Sequence, residues 1–163
     1  MKRSVRLEVD LDLVGHNYRL VQDLLAQVRI SLLDNTAAGL SIQGRKLNLV
    51  GVGDIFARQF WPERAFYGWK PEKDNVTILR SHNPDTNTWL RPYPWDLMLC
   101  GHTHGGQLEL PLIGAPFAPV KDMRFIKGLH PWESRWIHVT KGVGTVWGVR
   151  LNCRPEISLL TLT

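Results

Sequence analysis

Apolar residues in this chain come in short runs, which polar, glycine-rich or proline-rich segments separate. Apolar and charged residues alternate from Val5 to Leu13, which predicts a strand with one solvated face. Leucines recur at helical spacing over residues 17–29 and predict a helix, after which residues 30–33 predict a short strand. The Gln43-Gly44-Arg45 turn predicts a hairpin that joins residues 40–42 to residues 46–53.

The remainder of the chain is rich in predicted strands. Further apolar runs predict strands at residues 76–79, 95–100, 136–140 and 157–162. Aromatic residues interrupted by Pro62 and Pro71 predict an irregular loop or a short helix over residues 54–75. The segments between the strands carry most of the histidine, glycine and proline. Functional sites usually lie on such loops, at the ends of a rigid sheet.

Length and composition limit the class of protein. A chain of 163 residues with 44% hydrophobic and 21% charged residues is typical of one globular domain, and excludes long disorder and coiled coil. No apolar run approaches the roughly 20 residues of a membrane span, and no secretory signal is visible. Cys100 and Cys153 are expected to be small core residues in a reducing compartment. We therefore expect a cytoplasmic or peripheral membrane protein.

The net charge of +5 favours an anionic partner, which includes a phosphate ester, a nucleic acid or an anionic lipid surface. Nucleic acid is the least favoured of these partners, because the basic residues are scattered and no base-reading motif occurs. The aromatic stretches at residues 56–69 and 131–136 suit either a membrane interface and a lipid-like substrate, or simple core and lid packing.

The most informative motif is Gly101-His102-Thr103-His104-Gly105-Gly106-Gln107, which follows a predicted strand directly. The chain turns after that strand, so the two imidazoles are expected to point toward different places. Glycines permit backbone angles that other residues avoid and let a second group approach closely. Neutral imidazole is a good ligand for Zn, Mn, Fe or Ni. The motif therefore predicts a metal site at the end of a strand.

His82 also follows an apolar run, and Pro84 stiffens the loop in which it lies. Asn83 or Asp85 is expected to cap a short helix after it. A lone loop histidine is usually a surface residue. Two strand ends of one sheet, each carrying histidine, make a shared ligand site the better interpretation.

Residues 79–85 and 95–107 together resemble the C-terminal half of a calcineurin-like metallophosphoesterase. The histidine block is most similar to that of bacterial membrane-associated phosphodiesterases in this family, and residues 116–120 and 150–157 add to the likeness. Some members of this subgroup cleave the pyrophosphate of a UDP-diacylglucosamine lipid precursor. The resemblance therefore implies a metal-dependent hydrolase of phosphoric esters, either a phosphodiesterase or a pyrophosphatase, with a nucleotide-lipid as a candidate substrate.

The resemblance also implies an α/β fold, the four-layer α/β/β/α sandwich of this family, present only as its C-terminal portion. It implies that His82 and His102 bind one divalent metal ion and that His104 binds a second, with Mn, Zn, Fe or Ni as candidates. Two such cations would neutralise the charge that develops on phosphoryl oxygens. The resemblance assigns no catalytic residue and identifies no substrate-binding residue.

The family motifs that supply carboxylate ligands are not matched at the family's spacing before residue 82. Asp-x-His and Gly-Asp motifs are missing in that register, and Gly15-His16-Asn17 reverses the order of the Gly-Asn-His motif. Asp10, Asp12 and Asp54 are candidate carboxylates, although a plain turn role is expected for Asp54. Three neutral imidazoles alone lack the negative charge that attracts two divalent cations.

We therefore expect residues 1–14 to be an atypical segment and residues 15–163 to be the C-terminal part of the phosphoesterase domain. We expect a truncated enzyme that is weak or inactive as this chain alone. The alternative is a non-catalytic remnant or interaction module that binds a metal through the three histidines.

Overall fold

The computed structural model describes residues 11–42, 44–69, 72, 75–145 and 148–162, and divides into two compact units between Leu32 and Leu33. The helices are α1 (Leu11–Gln27), α2 (Pro62–Ala65) and α3 (Asn87–Leu90). The strands are β1 (Thr36–Ile42), β2 (Arg45–Gly51), β3 (Val76–Arg80), β4 (Leu97–Cys100), β5 (Gly128–Trp132) and β6 (Arg135–Val139). Short 3-10 turns lie at residues 84–86, 104–106 and 123–126.

The strands form one mixed sheet in the order β1-β2-β3-β4-β6-β5. The four central strands, β2, β3, β4 and β6, run parallel, and an antiparallel strand closes each edge. The prediction of an α/β fold is confirmed. The parallel arrangement brings the carboxyl ends of four strands to one edge of the sheet, which is where open α/β sheets bind ligands.

The core lies on one face of this sheet. Val50, Leu79, Met98 and Ile137 are opposite one another in the register of the four parallel strands, and none is more than 1% exposed. Burying an aliphatic side chain of this size stabilises a fold by roughly 1.5–3 kcal/mol. This row of side chains therefore fixes the register that brings the strand ends together.

The opposite face is covered less completely. Leu47, Leu49, Ile78 and Leu99 point away from the core row and are only half-buried. Parallel sheets usually have both faces covered. Within the described residues, therefore, this sheet has one closed face and one partly open apolar face.

Several predicted elements are confirmed, with shifted bounds. The helix predicted over residues 17–29 is α1, and the hairpin predicted around Gln43-Gly44-Arg45 is the antiparallel pair of β1 and β2. The strands predicted at 76–79, 95–100 and 136–140 correspond to β3, β4 and β6. The short helix α2 lies in the predicted aromatic loop.

Other predictions are wrong. Residues 11–13 belong to α1 and not to a strand, while residues 1–10 lie outside the described residues. Residues 30–33 form no strand, because the backbone closes the end of α1 there: Ile30 N donates to Leu25 O at 2.8 Å. Residues 157–162 also form no strand, and Ile157 and Leu159 are more than 90% exposed. The proposed division of the chain at residue 14 stays a prediction.

Candidate metal site

The loops that follow β3 and β4 lie side by side at the carboxyl edge of the sheet. Ser81 N donates to Leu99 O at 3.1 Å, and Gly101 N donates to His82 O at 3.0 Å. These two bonds continue the parallel ladder beyond the assigned ends of the strands. The hydrogen-bond ladder therefore places the segment after β3, which contains His82, beside the segment after β4, which contains His102.

The rings of His82 and His102 meet edge-on, with 5.1 Å between their centroids and an angle of 72° between their planes. The ring of Phe56, in the loop after β2, lies 5.2 Å from that of His102. His82 is exposed and His102 is half-buried. The Nε2 atom of His102 is buried and has no hydrogen-bond partner among the described residues.

Burial lowers the pKa of His102, and the nearby His82 lowers it further. Asp54 acts in the opposite direction, as does Asp85 more weakly, while His104 adds a small lowering effect. Burial disfavours the charged form because the low-dielectric surroundings solvate an imidazolium poorly. His102 is therefore held in the neutral form, which is the form that donates a nitrogen lone pair to a metal ion.

The segment after β4 has an unusual backbone. His102, His104 and Gln107 have φ angles of 66°, 51° and 55°, in the left-handed region. Non-glycine residues rarely adopt this region, and such strain persists only where surrounding contacts enforce it. Buried Thr103 provides such contacts, because its Oγ1 donates to Ile126 O at 2.6 Å and accepts from Gly105 N at 3.2 Å. The predicted turn between the two histidines is confirmed.

His104 contacts a backbone carbonyl, whereas His82 and His102 contact each other through their rings. Its Nδ1 lies 3.2 Å from the carbonyl oxygen of Gly144, a residue 40 positions further along the chain. In the part of the chain that the structure describes, no three or more His, Cys, Asp or Glu residues lie close enough together to hold a metal ion. The structure thus pairs His82 with His102 and does not bring His104 into the same ligand group.

The two aspartates that influence His102 both have backbone partners. Asp54 Oδ1 accepts from Phe56 N at 2.6 Å, so the expected turn role of Asp54 is confirmed. Asp85 accepts from Lys121 N at 3.0 Å, and Asn83 Oδ1 caps the 3-10 turn by accepting from Asp85 N at 2.8 Å. Asp10 lies outside the described residues, and the structure describes only the backbone of Asp12.

Sequence reasoning missed two contributors to this site. The contact of Phe56 with His102 joins residues 46 positions apart, and no local pattern indicates it. Asp85 was predicted only as a helix cap, although its carboxylate also acts on His102.

His130 and His138 belong to the sheet. His130 Nε2 lies 2.7 Å from Lys127 O, and His138 is buried in β6. Both cysteines are buried and free, as the sequence predicts.

His82 and His102 supply some of the ligands that a divalent cation needs. A buried, unpartnered imidazole nitrogen costs free energy unless it gains a partner, and a metal ion is one such partner. His82, at the next strand end, offers a second nitrogen of the same type. Imidazole pairs suit Zn, Mn, Fe or Ni, so the donor set does not select one of these metals.

Curated relatives match most of this chain. It is similar to phosphodiesterase YaeI of Escherichia coli, with 46% identity over 143 residues, which cover 88% of this chain and 51% of that protein. It is also similar to UDP-2,3-diacylglucosamine pyrophosphatase LpxG of Chlamydia trachomatis, with 36% identity across 84% of this chain and 43% of that protein. The uncharacterized metallophosphoesterase YkuE of Bacillus subtilis is 38% identical over 87 residues, which cover 53% of this chain and 30% of that protein.

The chain spans about half the length of the first two relatives. No family profile matches the chain, and no solved structure matches it. These relatives are named as a phosphodiesterase, a pyrophosphatase and a metallophosphoesterase. The chain belongs to the calcineurin-like metallophosphoesterases.

Proposed function

We propose that this chain contributes to a metal-dependent hydrolase of phosphoric esters, either a phosphodiesterase or a pyrophosphatase. The observation that carries the proposal is the buried, unpartnered Nε2 of His102 beside the ring of His82, at adjacent parallel strand ends. In this proposal His82 and His102 bind one divalent cation and His104 binds another. The names of the relatives support the same reaction class.

Divalent cations bound there would act as Lewis acids toward the phosphoryl oxygens. The chain's own residues prepare the site for them. Burial favours the neutral form of His102, and the ring of Phe56 packs 5.2 Å from its ring. Asp54 and Asp85 contribute negative charge near the histidine pair, which favours cation binding.

The test is hydrolysis of bis(p-nitrophenyl) phosphate by the full chain with added Mn²⁺. We expect a weak rate, because the described residues provide imidazoles without a close carboxylate ligand set. His82→Ala and His102→Ala should each abolish the Mn²⁺-dependent rate, whereas His130→Gln, which retains a side-chain donor away from the site, should not. A rate that all three variants retain would contradict the proposal.

A second candidate function is a non-catalytic module that binds a metal ion. It is favoured by the lack of any cluster of three or more metal-ligating side chains among the described residues. Calorimetric titration with Mn²⁺ distinguishes the two functions. Binding that requires His102 but produces no hydrolysis supports the module, and absence of both binding and hydrolysis contradicts both candidates.

The substrate class we propose is a phosphate ester with an apolar part, such as a nucleotide-lipid. A cavity of about 550 Å³ lies directly beside His104. Its lining is mainly apolar and includes Leu108, Phe117, Pro119 and Val149. The relative LpxG is named for a diacylated nucleotide sugar, which is a substrate of this kind.

Competitive inhibition tests the proposed preference for a substrate with an apolar part. A long-chain alkyl phosphodiester should inhibit the Mn²⁺-dependent hydrolysis more strongly than its methyl analogue, since the cavity can bury the additional methylene groups. Phe117→Ser should remove the difference between the two inhibitors. Equal inhibition by both compounds in the unmodified chain would contradict an apolar substrate.

We also propose peripheral contact with a membrane surface. Leu112, Ile113 and Phe117 are more than 65% exposed on one loop, which borders the cavity at Phe117. No helix in the described residues is both long and apolar enough to cross a bilayer. The chain should sediment together with anionic phosphatidylglycerol vesicles. The double variant Leu112→Ser, Ile113→Ser should sediment with them to a smaller extent. Equal sedimentation of the two proteins with the vesicles would contradict this contact.

A further inference from the structure

The guanidinium of Arg150 is surrounded by backbone carbonyls. Its Nη2 donates to Lys141 O at 2.8 Å and to Gly142 O at 3.3 Å, and its Nε donates to Gly144 O at 3.2 Å. None of the ion pairs among the described residues involves Arg150. The side chain therefore acts as a fixed fork of donors that shapes the turn over residues 141–144.

The carbonyl of Gly144, to which Nη2 of Arg150 also donates, lies 3.2 Å from the Nδ1 atom of His104. A carbonyl oxygen can only accept, so Nδ1 of His104 carries a proton, and in the neutral ring the free lone pair therefore lies on Nε2. Histidines that ligate metals are commonly fixed in this way, by a hydrogen bond from the other ring nitrogen to a carboxylate or a backbone carbonyl. The acceptor that selects this tautomer is itself held by Arg150.

Arg150 also holds the backbone of the same histidine. Its Nη1 donates to His104 O at 3.2 Å, and the thiol of Cys153 donates to that oxygen at the same distance. His104 has a left-handed φ of 51°, a conformation that requires such support. One guanidinium thus fixes the backbone of His104 and the acceptor of its ring.

We propose that Arg150 is a positioning residue for His104, which it holds in the Nδ1-protonated tautomer with Nε2 available to a divalent cation. The inference rests on the proposed function only where it assigns a metal to His104. The tautomer itself depends on no bound ion. A purely structural Arg150 would shape residues 141–144 without determining which ring nitrogen of His104 carries the proton.

Long-range ¹H–¹⁵N spectra of the histidine rings test the proposal on the metal-free chain at about pH 8, above the ordinary histidine pKa of about 6.5. Unmodified His104 should show the pattern of a ring protonated on Nδ1. Arg150→Ala should shift His104 toward the Nε2-protonated pattern, and Arg150→Lys, which keeps the charge but not the fork, should shift it less. Arg154→Ala is the matched control, because Arg154 is an exposed arginine on the same segment.

Thermal unfolding shows whether each variant is folded. If Arg150→Ala does not fold, Arg150→Met retains much of the side chain's length without any donor and takes its place in the test. A folded donor-free variant in which His104 keeps the Nδ1-protonated pattern overturns the proposal.

Calorimetric Mn²⁺ titration separates this inference from the proposed function. Loss of the fork should weaken Mn²⁺ binding about 10–100-fold, as removal of an outer-shell partner typically does. If the tautomer changes as expected and the unmodified chain binds no Mn²⁺, Arg150 still positions His104, and the proposed function fails. If the tautomer is unchanged while Mn²⁺ binding weakens, the positioning role fails, and the proposed function stands.

Discussion

The imidazole of His82 meets that of His102 edge-on at 5.1 Å, although the two residues lie on separate strand ends 20 positions apart in the chain. Their proximity follows from the parallel pairing of β3 with β4, which Gly101 N extends by donating to His82 O. The pair combines an exposed ring with a half-buried one whose Nε2 has no partner among the described residues.

The first prediction concerns the effect of Mn²⁺ on thermal stability. A ligand that binds only the folded state raises the melting temperature, so Mn²⁺ should stabilise the unmodified chain. His102→Ala should show a smaller increase, because it removes one of the two proposed cation sites. Its melting temperature without metal should not fall as it does for a core substitution, because the change removes an unpartnered buried nitrogen.

Differential scanning calorimetry with and without Mn²⁺ measures both effects, and His130→Gln serves as the control. A melting temperature that rises equally with Mn²⁺ in the unmodified chain and in His102→Ala would show that the ion binds elsewhere.

The second prediction concerns Gly105. A methyl group there would lie 2.5 Å from Lys141 Cγ and 2.7 Å from Cys153 Sγ, and the φ angle is 66°. Gly114 has a φ angle of 80° but has no atom within 4 Å of the equivalent position. Gly114→Ala should therefore cost only the conformational term of about 1–2 kcal/mol, and Gly105→Ala should cost an additional 1–3 kcal/mol, roughly, from overpacking.

Urea unfolding of the two variants measures the difference in the free energy of unfolding. Equal losses of stability would mean that Lys141 and Cys153 move aside at little cost, which would contradict a tightly packed histidine turn.

The third prediction concerns Asn35, whose buried side chain joins two loops. Its Oδ1 accepts from Gly53 N and Trp61 N, each at 3.0 Å, and its Nδ2 donates to Gln59 O at 2.8 Å. Asn35→Ala should reduce the free energy of unfolding by about 1–3 kcal/mol, because three partly buried hydrogen bonds to backbone groups are lost. It should also loosen the loop that carries Phe56 toward His102.

Chemical denaturation measures the loss of stability, and the intensity of contacts between the Phe56 and His102 rings in NMR spectra reports the loop. Asn75→Ala, which removes only an exposed hydrogen bond, is the control. An Asn35→Ala variant as stable as this control would refute the role of Asn35.

The fourth prediction is a pH dependence. A hydrogen bond from Lys141, whose Nζ lies 2.9 Å from Glu156 Oε2, holds the pKa of Glu156 below its ordinary value of 4.5. The same contact raises the pKa of Lys141 above 10.5. The pair therefore stabilises the fold fully between these two ordinary values. Its contribution is lost as the pH falls through the lowered pKa of Glu156, and as the pH rises through the raised pKa of Lys141.

The stability difference between the unmodified chain and Glu156→Gln should accordingly be constant from about pH 5 to about pH 10 and should shrink at both extremes. Urea unfolding across this range, with exposed Glu63→Gln as the control, provides the measurement. A difference that does not change with pH would mean that the ion pair contributes nothing.

Local patterns predicted most of the regular elements in the larger unit. Apolar runs identified β3, β4 and β6, and the turn residues around Gly44 identified the β1–β2 hairpin. The strand prediction failed at residues 157–162, where the apolar run does not pair with a neighbouring strand. Local patterns also missed β5, because Pro131 disfavours a strand, although an edge strand tolerates it.

The sequence by itself determined that imidazoles follow two buried strands and that a glycine-rich turn separates His102 from His104, since spacing and turn chemistry depend on near neighbours in the chain. Only the tertiary structure decided that the rings of His82 and His102 meet edge-on, that Nε2 of His102 is buried, and that Gly144 is the acceptor for His104. Those features depend on strand register and on loops 20 to 46 residues apart in the chain. Packing of the whole sheet sets such relations, and no local pattern encodes them.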